Sequence, residues 1–406
     1  MLKTIVVMME EAPCQRVSRL SWQCLIVLYL VIMMPSAGAG EGEDYEGALK
    51  DGFRPALHGR VYLESAHFRD DITSMGSKVD IPVARLSVYG RIDKQWRYFA
   101  QYDLAKSRPL MDAWLQYRGS KPHLKIGQFQ EPFSLEEMTS SRNITFIERA
   151  LPNLFVPGYN VGGSLQLRGD NGSFTVGVFG EQAGDEPEDE GDMGFALTSR
   201  ATVALFHNER RAMHLGLSGT LRRTNDEKEV RYRSRPETDL TDVRFVDTRT
   251  LRNVGVHGVV GLETALILGS WSIQGEYMRS GAAVDGVGDG DEGGQRHYFE
   301  GGYVFVSWFP GGEVRPYKVK SGGLGRVIPR SPDGALELAV RYSYLDLNDE
   351  HIRGGLQKNA TFGVNWYFNP DLRLMLNYVA VRAEGRKGKT DPESPEFIST
   401  RLQFDF

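Results

Sequence analysis

The chain has 406 residues, of which 41% are hydrophobic, 11% aromatic and 46 are glycine, and its formal net charge is −5. Mean hydropathy is −0.36, and no eighteen-residue apolar run follows residue 39, which excludes a helical membrane protein. With 48 basic against 53 acidic residues, a globally basic nucleic-acid binder is excluded as well, so any attraction for anions has to be local.

Residues 1–39 read as a secretory signal peptide. Arg16 and Arg19 precede the apolar run CLIVLYLVIMM, Cys24 to Met34, and PSAGAG supplies a small-residue cleavage site ending at Ala39. The run is too short to span a bilayer, and Met8 and Met9 are candidate starts. Both cysteines, Cys14 and Cys24, lie in this leader, so the exported chain is expected to hold together without a disulfide. Residues 40–52 are acidic and glycine-rich and are expected to form a tail.

From 53 to 406 the dominant signal is period-two alternation. In LRLMLNYVA, Leu372, Leu374, Leu376 and Tyr378 oppose Arg373, Met375 and Asn377. In NATFGVNWYFN one face is Phe362, Val364, Trp366 and Phe368; in QWRYFAQYDLA it is Trp96, Tyr98, Ala100, Tyr102 and Leu104. The pattern predicts strands near 54–68, 81–93, 95–106, 110–119, 122–130, 161–169, 172–181, 193–207, 211–223, 252–268, 270–280, 296–310, 334–347, 355–369, 371–384 and 395–406. Tight turns such as RIDK, GSKP, GDNG, HNER, LGS and NPD alternate with long connections at 69–80, 131–160, 182–192, 224–251, 281–295, 348–354 and 385–394. Only 107–109 and 311–333 break the alternation. Short turns at one end and long loops at the other indicate an all-β fold, a sixteen-stranded antiparallel transmembrane β-barrel. A soluble β-sandwich would not sort its loops by parity. The chain ends in EFISTRLQFDF, a terminal strand with Ile398, Leu402, Phe404 and Phe406 on one face.

Lipid cannot pair backbone groups, so such strands must close on themselves. The apolar sets are then expected to face lipid, with Trp96, Trp114, Trp308, Trp366 and Tyr378 as interface girdles. The other faces carry Arg85, Arg97, Arg118, Arg168, Arg200, Arg341 and Arg373 among Gln, Ser, Thr and Asn, the wall of a water-filled lumen. Sixteen strands leave a bore too wide to discriminate small ions. The stretch 131–160, with Phe133, Phe146 and Phe155, is too aromatic for disorder and is expected to fold inward as a long third loop that narrows the channel.

KIGQFQEPFSLEEMTSSRNITFIERAL, SWFPGGEVRPYKVKSGGLGRVIPRSPDGALELAVRYSYLDL and NATFGVNWYFNPDLRLMLNYV, in that order, resemble the phosphate-selective porin O and P family over nearly all of 53–406. The resemblance implies an outer-membrane anion porin of a Gram-negative bacterium. It implies a homotrimer set among outer-membrane lipid and lipopolysaccharide, with phosphate or other small anions as solutes, no nucleic-acid partner and no cofactor. It also accounts for the long 311–333 connection. Carried over by motif, the anion site would hold Ser140, Ser141 and Arg142 of TSSR and Arg149 of FIER, with Arg85, Lys94 and Asp112 on the adjacent wall. The set makes chemical sense. Arginine presents a planar fork to phosphate oxygens, serine donates one hydrogen bond, and a carboxylate accepts from a protonated phosphate. Glu131, Glu136 and Glu137 depart from the pattern, and carboxylates near the tip are expected to repel an anion by ~1–4 kcal/mol at contact.

Other features carry less. GDEPEDEGD and DGVGDGDEGG are single acidic runs on loops, and GGLGRV lacks a strand–helix context. Eight scattered histidines form no close ligand pair, and zinc has no cysteine to use. His214 and His257 face the lumen by parity but have no serine nucleophile motif beside them, so a barrel enzyme is disfavoured. A nonspecific general porin and a structural or adhesive barrel stay open as alternatives.

Overall fold

The computed structural model describes residues 55–184, 193–285, 294–386, 388 and 392–406. The leader and tail expected over 1–39 and 40–52, and most of the two acidic runs, lie outside the described residues. Sixteen strands close into one antiparallel barrel. They are β1 (Ala56–Arg69), β2 (Lys78–Arg91), β3 (Trp96–Asp103), β4 (Leu110–Tyr117), β5 (His123–Gln130), β6 (Tyr159–Arg168), β7 (Gly172–Phe179), β8 (Phe195–His207), β9 (Arg211–Arg223), β12 (Val254–Leu268), β13 (Trp271–Val284), β14 (Gln295–Trp308), β17 (Ala335–Asp349), β18 (Ile352–Tyr367), β19 (Leu372–Glu384) and β20 (Glu396–Asp405). Closure comes from β1 pairing with β20, from Arg60 opposite Asp405 to Arg69 opposite Glu396. Two short ribbons lie outside the wall: β10 (Arg233–Ser234) with β11 (Val246–Asp247), and β15 (Tyr317–Lys318) with β16 (Gly323–Leu324).

Alternation sorts the side chains as lipid and water require. On β19, Leu374, Leu376 and Tyr378 are exposed on the outside, while Arg373, Met375 and Asn377 are buried within. On β17, Val340 and Tyr342 point out and Glu337, Arg341 and Ser343 point in. Trp114 is a correction to the expected girdle. It is buried on the lumen side, packed with Tyr89, Phe99, Phe129 and Phe179, while its neighbour Leu115 is exposed. Within β4 both faces carry bulky apolar groups, and alternation alone does not say which face is wet.

The loop parity holds with two changes. The long connection expected at 348–354 is a two-residue turn, Glu350–His351, because β17 and β18 pair almost to their tips. A register shift between Asp346 and Asn348 makes this possible. Gly355 takes φ +94° there, and its N–H donates to the Asn348 side chain at 3.0 Å. The 309–334 connection leaves from the short-turn rim and folds back into the bore, with Arg315, Leu324 and Val327 buried.

Side-chain parity has a direct mechanical consequence. Leu376→Arg, on the lipid face near mid-strand, is expected to lower unfolding free energy by about 2–4 kcal/mol in bilayers, whereas Thr175→Arg, on the lumen face, costs less than about 1 kcal/mol. Guanidinium titrations of vesicle-folded protein measure both; equal losses would mean the two faces are misassigned.

Candidate functional site

The third connection at the long-loop end, residues 131–158, crosses the bore from β5 to the opposite wall. It opens with one helical turn, α1 (Leu135–Met138), whose Ser134 cap accepts from the Glu137 N–H at 3.1 Å. The leading N–H groups of this turn, Leu135 and Glu136, donate to the Glu276 carboxylate of β13 at 3.0 and 2.7 Å. Beyond the turn, arginines of the 309–334 connection and of the wall take the loop's carbonyls one after another. Arg315 donates to Asn143 O at 2.8 Å, Arg373 to Ile144 O at 2.8 Å and Thr145 O at 3.2 Å, and Arg341 to Glu148 O at 2.8 Å. Arg341 also lies over the Phe146 ring at 4.4 Å, and Phe146 meets Phe305 edge-on. A backbone held away from bulk water needs such donors, and each charge-assisted bond contributes about 1.5–3 kcal/mol.

The loop carboxylates expected to repel anions are occupied. Glu131 accepts from Arg222, Thr198 and, at 2.7 Å, Asn160. Glu137 pairs with Arg149 at 3.0 Å, and Glu136 accepts the Ala150 N–H at 3.0 Å with Arg341 at 3.7 Å. Burial holds the Glu136 carboxyl above its usual range, against the pull of Arg341. Burial would lower the Arg149 guanidinium, but Glu137 and Glu136 raise it. Glu148 accepts from Arg401 at 2.6 Å, yet burial and the nearby Asp239 and Glu64 push its carboxyl up to about 8.

Two other segments join the loop. From the 224–253 connection, Glu237 accepts from Leu151 N–H at 3.0 Å and pairs with Arg341 at 2.8 Å. From the 309–334 connection, Leu324 N–H donates to Thr139 Oγ1 at 3.1 Å, while Ser321 O and Gly322 O accept from Arg200 at 2.9 and 2.7 Å. Arg200 is itself held by Glu263 at 2.6 Å, and Glu263 also meets His214 at 3.2 Å. These three segments fill the β9–β20 side of the lumen.

Among the described residues, a cavity of about 250 Å³ lies against the inner faces of β3–β8. The loop contributes Pro132, Met138, Ser140 and Asn143 to it; the 309–334 segment contributes Lys318, Ser321 and Leu324. The wall contributes His123, Lys125 and Arg168, with Asp112 as the carboxylate among the lining residues. Arg168 and Arg118 donate to the glutamine carbonyls of Gln166 and Gln116, at 2.8 and 2.9 Å. The cation density of the open path therefore sits on β4–β6, toward the short-turn rim.

A family model, phosphate-selective porin O and P, matches residues 57–406. The chain belongs to the phosphate-selective porin O and P family. Porin O of Pseudomonas aeruginosa is 24% identical over 393 residues, covering 86% of this chain and 88% of that protein. An uncharacterized protein of Caulobacter vibrioides is 30% identical over 73% of this chain and 62% of its own length. Among solved structures, OmpT of Vibrio cholerae matches with a TM-score of 0.56 at 11% identity, covering 88% of this chain and 99% of its own. The anion-selective porin from Comamonas acidovorans matches with 0.52 at 10% identity, covering 87% and 100%. The protein is an outer-membrane porin of a Gram-negative bacterium, and its family and fold are those of a channel rather than an enzyme.

In this porin the expected site residues separate. Ser140 and Asp112 line the open cavity from opposite sides. Ser141 accepts from Arg60 of β1 at 2.8 Å, and Arg142 is buried nearby, its carbonyl accepting from Gln403 at 3.2 Å. Arg149 ties the loop to itself through the carbonyls of Glu136, Glu137 and Thr139 at 3.2–3.4 Å. Arg85 pairs with Asp103 at 2.8 Å on β2 and β3. Lys94 stands in the exposed β2–β3 turn. Lys125, His123 and Lys318 were not foreseen. Strict alternation from the lipid-facing Ile126 would have pointed to Lys125; nothing in the sequence points to Lys318.

Two outcomes follow for the loop. Arg341→Ala strips Glu237 of its ion-pair partner and Glu148 O of its donor, and is expected to cost about 3–5 kcal/mol and to give larger, noisier single-channel steps in planar bilayers. Steps of unchanged size and noise would remove Arg341 as an anchor. Glu148 is neutral below its raised value and gains a negative charge above it, so anion preference should fall as pH rises from about 7 to 9. Glu148→Gln should flatten that dependence; reversal potentials recorded across the range decide it.

Proposed function

We propose that this porin passes small anions, phosphate and polyphosphate among them, by passive diffusion through the gap between the third loop and the β3–β8 arc. The observation that carries the reading is the charge of the open path. Lys125, Arg168 and Lys318 line it with one carboxylate, Asp112, while the loop's own acids are tied to arginines elsewhere. A bore with low-dielectric walls focuses that positive field and raises the local anion concentration. The lining cations and the Ser140 hydroxyl replace part of the anion's hydration shell, and the anion leaves because no contact encloses it fully. In this reading Ser141, Arg142 and Arg149 act on the anion indirectly, by holding the loop that presents Ser140, and Arg85 fixes the adjoining wall. Lys94 lies at the exit rim and speeds departure into the periplasm. The functional unit is a homotrimer in an outer leaflet of lipopolysaccharide; a similar structure, OmpT of Vibrio cholerae, is described in a trimer form.

Planar-bilayer recording tests the reading. Under a potassium chloride gradient the porin is expected to favour chloride, and millimolar phosphate should block the chloride current. Lys125→Glu combined with Arg168→Glu should reverse the preference, because two sign changes on the lining replace attraction with repulsion. A reversal potential that ignores both substitutions would sink the proposal and leave a nonspecific pore.

A further inference from the structure

Inorganic phosphate accounts for only part of the open cavity. An oxyanion accepts hydrogen bonds and offers no carbon face, so a path made for it alone needs donors and cations. This one also carries rings. Phe99 and Trp114 are register partners on β3 and β4 with ring centroids 5.6 Å apart, and both line the cavity with Phe129 and Tyr159. Phe99, Trp114 and Phe129 are packed on one another and nearly closed to water, with the Lys125 ammonium standing over Trp114 and Phe129, so the apolar face they hold in reserve meets a solute only where that ammonium moves. They do not hold the loop: its own aromatics, Phe133, Phe146 and Phe155, pack in clusters that share no residue with this one.

The lining also carries acceptors, more of them than the one or two hydroxyls of a protonated phosphate can serve. Asp112 lies opposite Gln101 in the ladder, and Gln130, whose amide donates to Glu137, keeps its carbonyl as an acceptor. Gln116 and Gln166 are the reverse case: their carbonyls serve Arg118 and Arg168, which leaves their amide donors for the cavity. A polyhydroxylated body offers several groups that both donate and accept, where phosphate offers at most two, so it suits such a mixture better.

The groups are ordered along the bore. Read from the long-loop end, β4 presents Asp112, Trp114 and Gln116 at every second position, and Arg118 follows at the rim. The sequence of chemistries is acceptor, ring, donor, cation. At the level of Gln116 the partner on β5 is Lys125, itself opposite Ser164 of β6. The Lys125 ammonium stands over Trp114 at 4.7 Å and over Phe129 at 4.9 Å.

We propose that the favoured solute is a phosphomonoester of a polyhydroxylated carbon body, the chemistry of a sugar phosphate. The phosphate leads, drawn to Lys125 and Arg168. As it pulls the ammonium aside it uncovers the Trp114 face, and the C–H face of the body lies there. The hydroxyls meet Asp112, Gln101 and Gln130. This rests on the anion-channel reading above and narrows it to one solute class.

The test compares blocking of the chloride current by glucose 6-phosphate, inorganic phosphate and glucose at matched ionic strength. Glucose 6-phosphate is expected to block at a concentration about tenfold lower than phosphate, equivalent to about 1.4 kcal/mol, and glucose alone to block poorly. Trp114→Ala should bring the two anions to nearly equal blocking concentrations; Trp114→Leu, which keeps apolar bulk but lacks a flat face, serves if the alanine variant does not fold. Anion preference with phosphate blocking as well as glucose 6-phosphate overturns this proposal while sparing the anion channel. A pore without anion preference overturns both. A Trp114 variant that keeps the tenfold ratio removes the ring from the site and overturns the proposal as well.

Discussion

A carbonyl carried into the bore of a membrane barrel has to find a donor there, and that requirement organises this lumen. The third loop crosses the channel with little regular structure of its own, so its backbone groups depend on the wall. Arg315, Arg373 and Arg341 meet three successive stretches of it, and Glu276 meets the N–H groups that open its helical turn. Without them the loop would exchange these bonds for water and leave the position that shapes the path. Arginine suits the task because its fork can serve a carbonyl and a carboxylate at once, as Arg341 does with Glu148 O and Glu237.

The lumen arginines thus fall into two populations with different work. Those on β17 and β19, and Arg315 beside them, are paired with Glu237 and Glu337 and spent on holding the loop. Arg118 at the end of β4 and Arg168 on β6 donate to glutamine carbonyls at the edge of the open cavity. An inventory of arginines on inward faces cannot separate the two. The distinction lies in partners far away in the chain: Arg373 and Ile144 are 229 residues apart, and Arg200 and Gly322 are 122.

This explains what the sequence revealed and what it withheld. Barrel closure, strand number and the lipid-facing sets depend on local alternation and turn chemistry, and each was readable within a dozen residues. The 348–354 connection was misjudged because a bulge at Asp346 and the left-handed Gly355 let the ladder continue where alternation had faltered. Trp114 was misplaced because tryptophan near a strand end reads as an interface residue, whereas here the inner wall is itself aromatic. Glu131, Glu136 and Glu137 looked like a repulsive cluster, and became loop supports only when Arg222, Arg149 and Arg341 were seen beside them. Charge patterns in sequence give the groups that can act; tertiary pairing decides which still do.

The 309–334 segment rises from the short-turn rim to touch the loop at Thr139 and Asn143. On the proposed route a solute keeps to one arc of the wall and samples six of the sixteen strands, β3–β8. Specificity in such a tube can drift by exchange of a handful of side chains on that arc. The rest of the circumference can meanwhile stay committed to keeping the throat in shape.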